Sequence, residues 1–245
     1  MRLQHATWQE VEAYLTRHTG IIVPIGSTEQ HGPNGLVGTD AICPEAIAWA
    51  LGERHDVLVA PTQNIGMAQH HLAFPGTLSL APSTLIAVLR DTIVSLARHG
   101  FTHVFFLNGH GGNIATIKAA FAEVYTQRSL DGDDQPLNLS LYSWFSGQRG
   151  RELAASLYGD AEGNHATASE VALSWYAAGV EKSVAMSPRL APKGSADCDA
   201  DTFRRRFPDG RMGSDPSLAK VEHGKRFLET GVEDAWEAYR AFLAG

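Results

Sequence analysis

Short apolar runs separated by Gly, Pro and polar turns constrain this chain more than any other feature. Ile21-Ile22-Val23-Pro24-Ile25 follows Gly20, Asp56-Val57-Leu58-Val59-Ala60 ends at Pro61, and Thr102-His103-Val104-Phe105-Phe106-Leu107 runs into Asn108-Gly109. An unbroken apolar run of this length fits a strand buried on both faces, as in a parallel sheet. Pro24, which has no N–H to give a neighbouring strand, predicts that its strand ends there or lies at an edge. A fourth strand is read at Leu137–Ser143, after the polar break 129–136.

Helical patterns fill the intervals. Thr7-Trp8-Gln9-Glu10 has capping-box spacing and opens a helix over 7–18. Others are read over 41–54, from Pro82 to His99 with Gly100 as the stop, and over 114–127, 148–157 and 167–178. The segment 180–215 is read as irregular, with a basic cluster at Arg204-Arg205-Arg206. A last helical region starts at Asp215-Pro216 and is expected to break or bend near Gly224 and Gly231. Strands alternating with helices call for right-handed βαβ crossovers and a mostly parallel sheet between helical layers. No repeat and no linker divides the 245 residues, so 1–245 is expected to be one domain.

Composition narrows the function. The chain has 20 basic and 27 acidic residues and a formal charge of −7, which argues against a nucleic-acid or anionic-membrane partner. No apolar run approaches the ~18 residues of a membrane span, and no secretory h-region is visible at the start. Cys43 and Cys198 are the only cysteines and suit a reducing cytoplasm. Eleven histidines make imidazole the most available ligand and proton carrier near neutral pH.

Ligands of parallel sheets sit beyond the carboxyl ends of the strands. There the loop 26–40 carries Glu29, His31 and Asp40, and His110 directly follows another strand. Glu29 and His31, two residues apart, point to the same side of an extended backbone. Carboxylates and imidazoles without thiolates suit Zn²⁺, Mn²⁺ or Fe²⁺. Each residue also has a plainer reading. Asp40 could cap the next helix, Glu29 and His31 could be solvated, and Gly109–Asn113 could cradle a phosphate on a helix N-terminus. His165 and Glu170 converge only if His165 lies in the loop and Glu170 in the first helical turn. Glu170 also completes a capping box with Thr167. His70 and His71 diverge in an extended loop, so at most one is expected to face a site.

These blocks together resemble the creatininase (creatinine amidohydrolase) family. Gly26-Ser27-Thr28-Glu29-Gln30-His31-Gly32-Pro33 with Gly38-Thr39-Asp40 looks like its first signature, and His71 to Leu80 like its second. Asn108-Gly109-His110-Gly111-Gly112-Asn113 and His165 with Glu170 resemble the third and fourth. The resemblance implies a three-layer α/β/α sandwich and hydrolysis of a non-peptide C–N bond at a binuclear centre. It also implies a homo-oligomer, commonly a hexamer. By position, Glu29, Asp40 and His110 would hold one divalent ion, and His31 and Asp40 the other. His165 would be the catalytic histidine, and Zn²⁺ is the first choice of metal, with Mn²⁺ or Fe²⁺ as alternatives. A water between the ions would attack a carbonyl, and His165 would stabilise the oxyanion or protonate the leaving nitrogen.

Three positions depart from creatininase proper. An acidic ligand is replaced by Gly112, an aromatic substrate contact by Gly111, and the tryptophan upstream of the catalytic histidine by Ala161. Glu170 is therefore expected as the replacement ligand of the second ion, with Glu162 next. The cavity is expected to be wider along Gly111-Gly112 and to favour a larger substrate than creatinine. The expected substrate is a small cyclic amide or formamide-like compound. Formylaminopyrimidine deformylation, ring opening of a cyclic ketone, and a non-catalytic metal- or phosphate-binding role are the alternatives. Either the long segment 180–215 or the loop 62–80 is expected at a subunit contact.

Overall fold

The computed structural model describes residues 1–245. Four parallel strands form the sheet: β1 (Gly20–Ile25), β2 (Leu58–Val59), β3 (His103–Asn108) and β4 (Asn138–Ser143), in the order β2-β1-β3-β4. The α/β architecture is the expected three-layer sandwich. Alternate residues of β1 and β3 point to opposite faces. Ile21, Val23, Ile25, Val104 and Phe106 pack under α1 (Trp8–Leu15), α3 (Pro82–Arg98) and α4 (Asn113–Asp131). Ile22, Phe105 and Leu107 pack under α2 (Thr39–His55), α6 (Ala168–Ala178) and α8 (Val221–Ala244). No helix is long and apolar enough to cross a membrane.

Ile25, Asn108 and Ser143 are in register, so three strands end at one level and their loops leave from one edge. Asn108 fixes the turn after β3. Its side chain donates to the His110 carbonyl (2.8 Å) and to Ser143 Oγ (3.1 Å), and accepts from the His110 N–H (3.1 Å).

Several expectations are corrected. Pro24 sits inside β1, between β2 and β3. Its carbonyl accepts from Gln63 N–H (3.0 Å), as that of Ile22 accepts from Ala60 N–H (2.8 Å), so both residues face the β2 side. β1 ends one residue later, at Ile25, and the segment after β2 still pairs with it there through Gln63. β2 is two residues long because Asp56 is the left-handed cap of α2, with φ 52°. α4 continues to Asp131, its last exposed turn bridged by Gln127 donating to Asp131 (2.9 Å), and stops at left-handed Gly132.

The segment 180–215 is not wholly irregular. It contains α7 (Ala200–Arg206), capped by Asp199 accepting from Thr202 N–H (2.9 Å). Phe203 and Phe207 of this segment pack on Phe74 of the 62–80 loop, with Met212. The two long segments thus order each other within the chain. α5 (Gln148–Tyr158) follows β4 in the chain and packs against α8.

The last helix neither breaks nor bends at its glycines. α8 runs unbroken over Val221–Ala244 because Gly224 and Gly231 serve close packing. A Cβ on Gly224 would lie 2.1 Å from the Ala172 carbonyl oxygen, and one on Gly231 would lie 2.7 Å from Ile47 Cδ1. Helix propensity alone favours alanine by about 1 kcal/mol. Overpacking against a backbone carbonyl outweighs that gain, so Gly224→Ala should lower unfolding stability by about 1–3 kcal/mol in urea titration. A variant as stable as the parent would contradict this packing.

Candidate metal centre

The loop after β1 returns across the sheet edge onto the start of α2, and the loop after β3 meets it there. Both approaches need glycine: a Cβ on Gly26 or Gly109 would lie 2.0 Å from the Asp40 carbonyl oxygen. Asp40 therefore sits in the first turn of α2, with Gly38 at the cap position. It does not cap the helix. Its carboxylate turns inward, Oδ1 3.0 Å from His31 Nε2 and Oδ2 2.8 Å from His110 Nδ1. The solvated reading of Glu29 and His31 also fails, since both are buried and Glu29 is 0% exposed.

Glu29 Oε2 lies 3.4 Å from His110 Nε2, and Oε1 lies 3.3 Å from His71 Nε2 and 3.8 Å from His165 Nδ1. Neither Glu29 oxygen nor Asp40 Oδ2 has a hydrogen bond of ordinary geometry. Leaving buried carboxylate oxygens unmatched is costly, and a cation answers that cost. Ligand-type atoms of Glu29, Asp40 and His110 lie within 4.8 Å of one another, as do those of His31, Asp40 and Glu170. The two groups share Asp40. Glu29, His31 and His165 form a third such group.

The outer contacts orient the imidazoles. A carbonyl only accepts, so His31 Nδ1–H donates to the Glu29 carbonyl (3.0 Å) and Nε2 is left facing Asp40. His110 Nε2–H donates to the Met67 carbonyl (3.0 Å), which leaves Nδ1 facing Asp40. Gln30 is anchored by accepting from Gly32 N–H (2.9 Å) and donating to the Gly210 carbonyl (2.9 Å). His165 Nε2 lies 2.8 Å from the Gln30 amide nitrogen and 3.0 Å from the Gln30 backbone carbonyl. One contact suits an unprotonated Nε2 and the other a protonated one, so either tautomer of His165 has a partner.

Glu170 has two roles in one position. Its carboxylate accepts from Thr167 N–H (2.6 Å), completing the capping box, and Oε1 lies 3.9 Å from His31 Nε2. His165 precedes the helix, in the loop geometry its convergence requires. Glu162 is not in the cluster. It accepts from the N–H (3.3 Å) and hydroxyl of Ser169 at the start of α6. His71 is the residue the sequence reading underweighted. A 3₁₀ turn over Gln69–His71 buries it, and its ring stacks on His165 at 4.3 Å. Its place beside Phe74-Pro75-Gly76, in the second block, was the available signal.

A cavity of about 480 Å³ reaches the cluster from one side, lined by Asp40, Trp144, Arg151, His165 and Glu170. A second, of about 360 Å³, reaches it past Glu29, His71, Asn164 and Phe203. The expected widening along Gly111-Gly112 is only half present. A Cβ on Gly111 would meet nothing within 4 Å, but one on Gly112 would lie 2.4 Å from His110 Nε2. The imidazole itself fills that space.

The charges are mutually dependent. Burial pushes the His31 imidazolium down, but Asp40, Glu170 and Glu29 outweigh it and carry its pKa up to about 10. Burial likewise opposes His110, and Glu29 and Asp40 carry it up to about 9. Burial raises Asp40, yet these two imidazoles hold it well below the usual carboxylate range. Burial raises Glu170 to about 7. Burial, with His70 next, pushes His71 down to about 2. Burial also holds His165 well below its ordinary value, helped by His71 and His31.

Without metal, His31 and His110 therefore stay protonated at pH 7, and a cation must displace those protons. Titrating Zn²⁺ into metal-free protein at pH 7 should release about two protons from the imidazoles and a further fraction from Glu170 as both groups fill, read from the buffer dependence of the calorimetric heat. Affinity should rise with pH, because higher pH removes the competing protons. Heats independent of buffer would contradict this charge balance.

A sequence model of the family described as Creatininase, creatinine amidohydrolase, matches residues 4–239. A mycofactocin precursor peptide peptidase of Mycolicibacterium smegmatis is 36% identical over 42% of this chain and 43% of its own length. A creatinine amidohydrolase of Pseudomonas putida is 34% identical over 44% of each chain. A 3-dehydro-scyllo-inosose hydrolase of Thermotoga maritima is 32% identical over 44% of this chain and 35% of its own. The matched stretch spans less than half the length of each of these relatives. A solved structure, creatininase Mn, covers 98% of this chain and 97% of its own, with TM-score 0.83 and 26% identity. A mutant creatininase of Zn–Zn type gives the same coverage, with TM-score 0.84 and 25% identity.

Proposed function

The chain belongs to the creatininase family, and from that premise we propose that it is a metal-dependent hydrolase of a C–N bond in a small cyclic amide or formamide-like compound. The observation that carries this reading is the pair of three-residue ligand groups hinged on Asp40. The donor set, carboxylates and imidazoles without thiolate, suits two divalent ions, Zn²⁺ first and Mn²⁺ or Fe²⁺ as alternatives. When bound, such ions supply a Lewis acid for the carbonyl and lower the pKa of a water nucleophile. Glu29, Asp40 and His110 would hold one ion and His31, Asp40 and Glu170 the other.

The remaining work falls to the chain's own groups. His165 is neutral, and its Nδ1 faces Glu29 Oε1 across 3.8 Å. With Nε2–H donated to the Gln30 backbone carbonyl, it can take a proton at Nδ1 and return it to the departing nitrogen while that hydrogen bond is kept. His71 lies flat against the His165 ring and limits how far that ring can turn. Phe227 and Phe203 give each cavity an apolar stretch of wall.

A second reading changes the substrate and keeps the site. Cavities on both sides of the cluster admit a substrate that extends both ways from the scissile bond, such as a linear peptide-like amide. The peptidase and the inosose hydrolase among the relatives make both a peptide and a cyclic ketone worth testing beside formylaminopyrimidines. The reading is completed by a cytoplasmic setting, which suits two unpaired cysteines. It also includes a small-molecule substrate, a homo-oligomer that could be a hexamer, and neither nucleic acid nor membrane as partner.

Two variants of one experiment test this. A substrate panel should find poor turnover of creatinine and efficient turnover of another amide, abolished by a strong chelator. Glu170→Gln should lower the occupancy of one ion and cut kcat by at least about 100-fold, with far-UV dichroism unchanged. A Glu170→Gln protein that keeps two ions and loses only thermal stability would leave Glu170 as a helix cap alone.

A further inference from the structure

We propose that Arg151 receives a carboxylate of the substrate, so that this enzyme acts on amides that carry an acidic group some atoms away from the bond cleaved. The proposal rests on the metal-hydrolase reading and adds to it a residue and a substrate class.

The larger of these two cavities has one Lys or Arg among its lining residues, Arg151, which is solvent-exposed and also borders the groove beside Arg149. The first turn of α5 carries two arginines, Arg149 and Arg151. Two positions apart, they project about 200° apart around the helix. Arg149 turns to α8, where it meets Glu233 (3.3 Å), Asp234 (2.9 Å) and Glu237 (2.6 Å). The nearby carboxylates of α8 are thereby engaged, and Arg151 has no ion pair and no side-chain hydrogen bond in the structure. Asp234 also accepts from Gly150 N–H (3.1 Å), which pins the backbone beside Arg151.

The acids of the cavity do not answer Arg151 either. Asp40 and Glu170 face His31, and Glu162 is held by Ser169. An independent observation points to an acceptor in the same space. Trp144 lines this cavity, is 3% exposed, and its Nε1–H finds no acceptor among the protein's atoms. A buried donor without an acceptor is costly. A guanidinium and an indole N–H that border one cavity are the donor set for a carboxylate. Ala154, Ala155 and Phe227 give apolar lining for a short aliphatic spacer between that carboxylate and the scissile amide.

Hydroxamates, which chelate catalytic metals, provide the probe. Metal-loaded protein is titrated by calorimetry with acetohydroxamate, which is neutral, and with the monohydroxamates of succinic, glutaric and adipic acid. At least one of the three acids should bind about tenfold or more tighter than acetohydroxamate. Arg151→Ala and Arg151→Gln should erase that gain, Arg151→Lys should retain part of it, and Trp144→Phe should remove a smaller share. Acetohydroxamate should bind all Arg151 variants as it binds the parent, which also reports that their metal site is intact. A gain that survives Arg151→Gln, or no gain with any spacer while acetohydroxamate binds, overturns the assignment of Arg151 and leaves the metal reading standing. If no hydroxamate binds, the metal reading falls and this proposal falls with it.

Discussion

Asp40 is 4% exposed, and its two oxygens are each within 3.0 Å of a buried imidazole nitrogen, Nε2 of His31 and Nδ1 of His110. Withdrawing a carboxylate this far from water costs several kcal/mol unless opposite charge is held against it. Much of the sheet's carboxyl edge is arranged to meet that requirement. Gly26 and Gly109 let two loops touch the Asp40 backbone, and Asn108 fixes the turn that delivers His110. The Glu29 and Met67 carbonyls hold the imidazoles so that their other nitrogens face inward. In the metal-free protein protons supply the positive charge, and a divalent ion can replace them at the same atoms.

The same constraint explains why the clustered carboxylates and imidazoles come from distant parts of the chain. Glu29 and His31 follow β1, His71 follows β2, His110 follows β3, and His165 and Glu170 flank the start of α6. Parallel strands put all their carboxyl ends on one edge, so each loop contributes one or two side chains. The segment 180–215 closes the far wall with Phe203, which meets His71 edge-on at 4.6 Å. Buried Arg211 ties this segment down through Asp209 (2.7 Å) and the Pro188 carbonyl (2.8 Å).

The order of strands and helices was readable because apolar periodicity and caps are local. Capping boxes at Thr7/Glu10 and Thr167/Glu170 formed as their spacing requires. What was misread depends on contacts distant in sequence. Pro24 lies in a strand paired on both sides although β1 does end just after it, and Gly224 and Gly231 read as helix breakers until Ala172 and Ile47 are seen against them. The loop positions of Glu29, His31 and His110 were legible from their place after strands. Asp40 remained open between cap and cluster, since both lie at the start of α2 and only the side-chain direction separates them. His71 needed the 3₁₀ turn that swings it under His165, and nothing in the spacing of two adjacent histidines specifies that turn.

If the buried carboxylate of Asp40 organises two cation sites, its removal empties both. Metal analysis of Asp40→Ala beside the parent protein, both purified with excess Zn²⁺ and then dialysed, measures it directly. A variant that keeps its far-UV spectrum is expected to lose both ions. A variant that retains the parent's full metal content would contradict it.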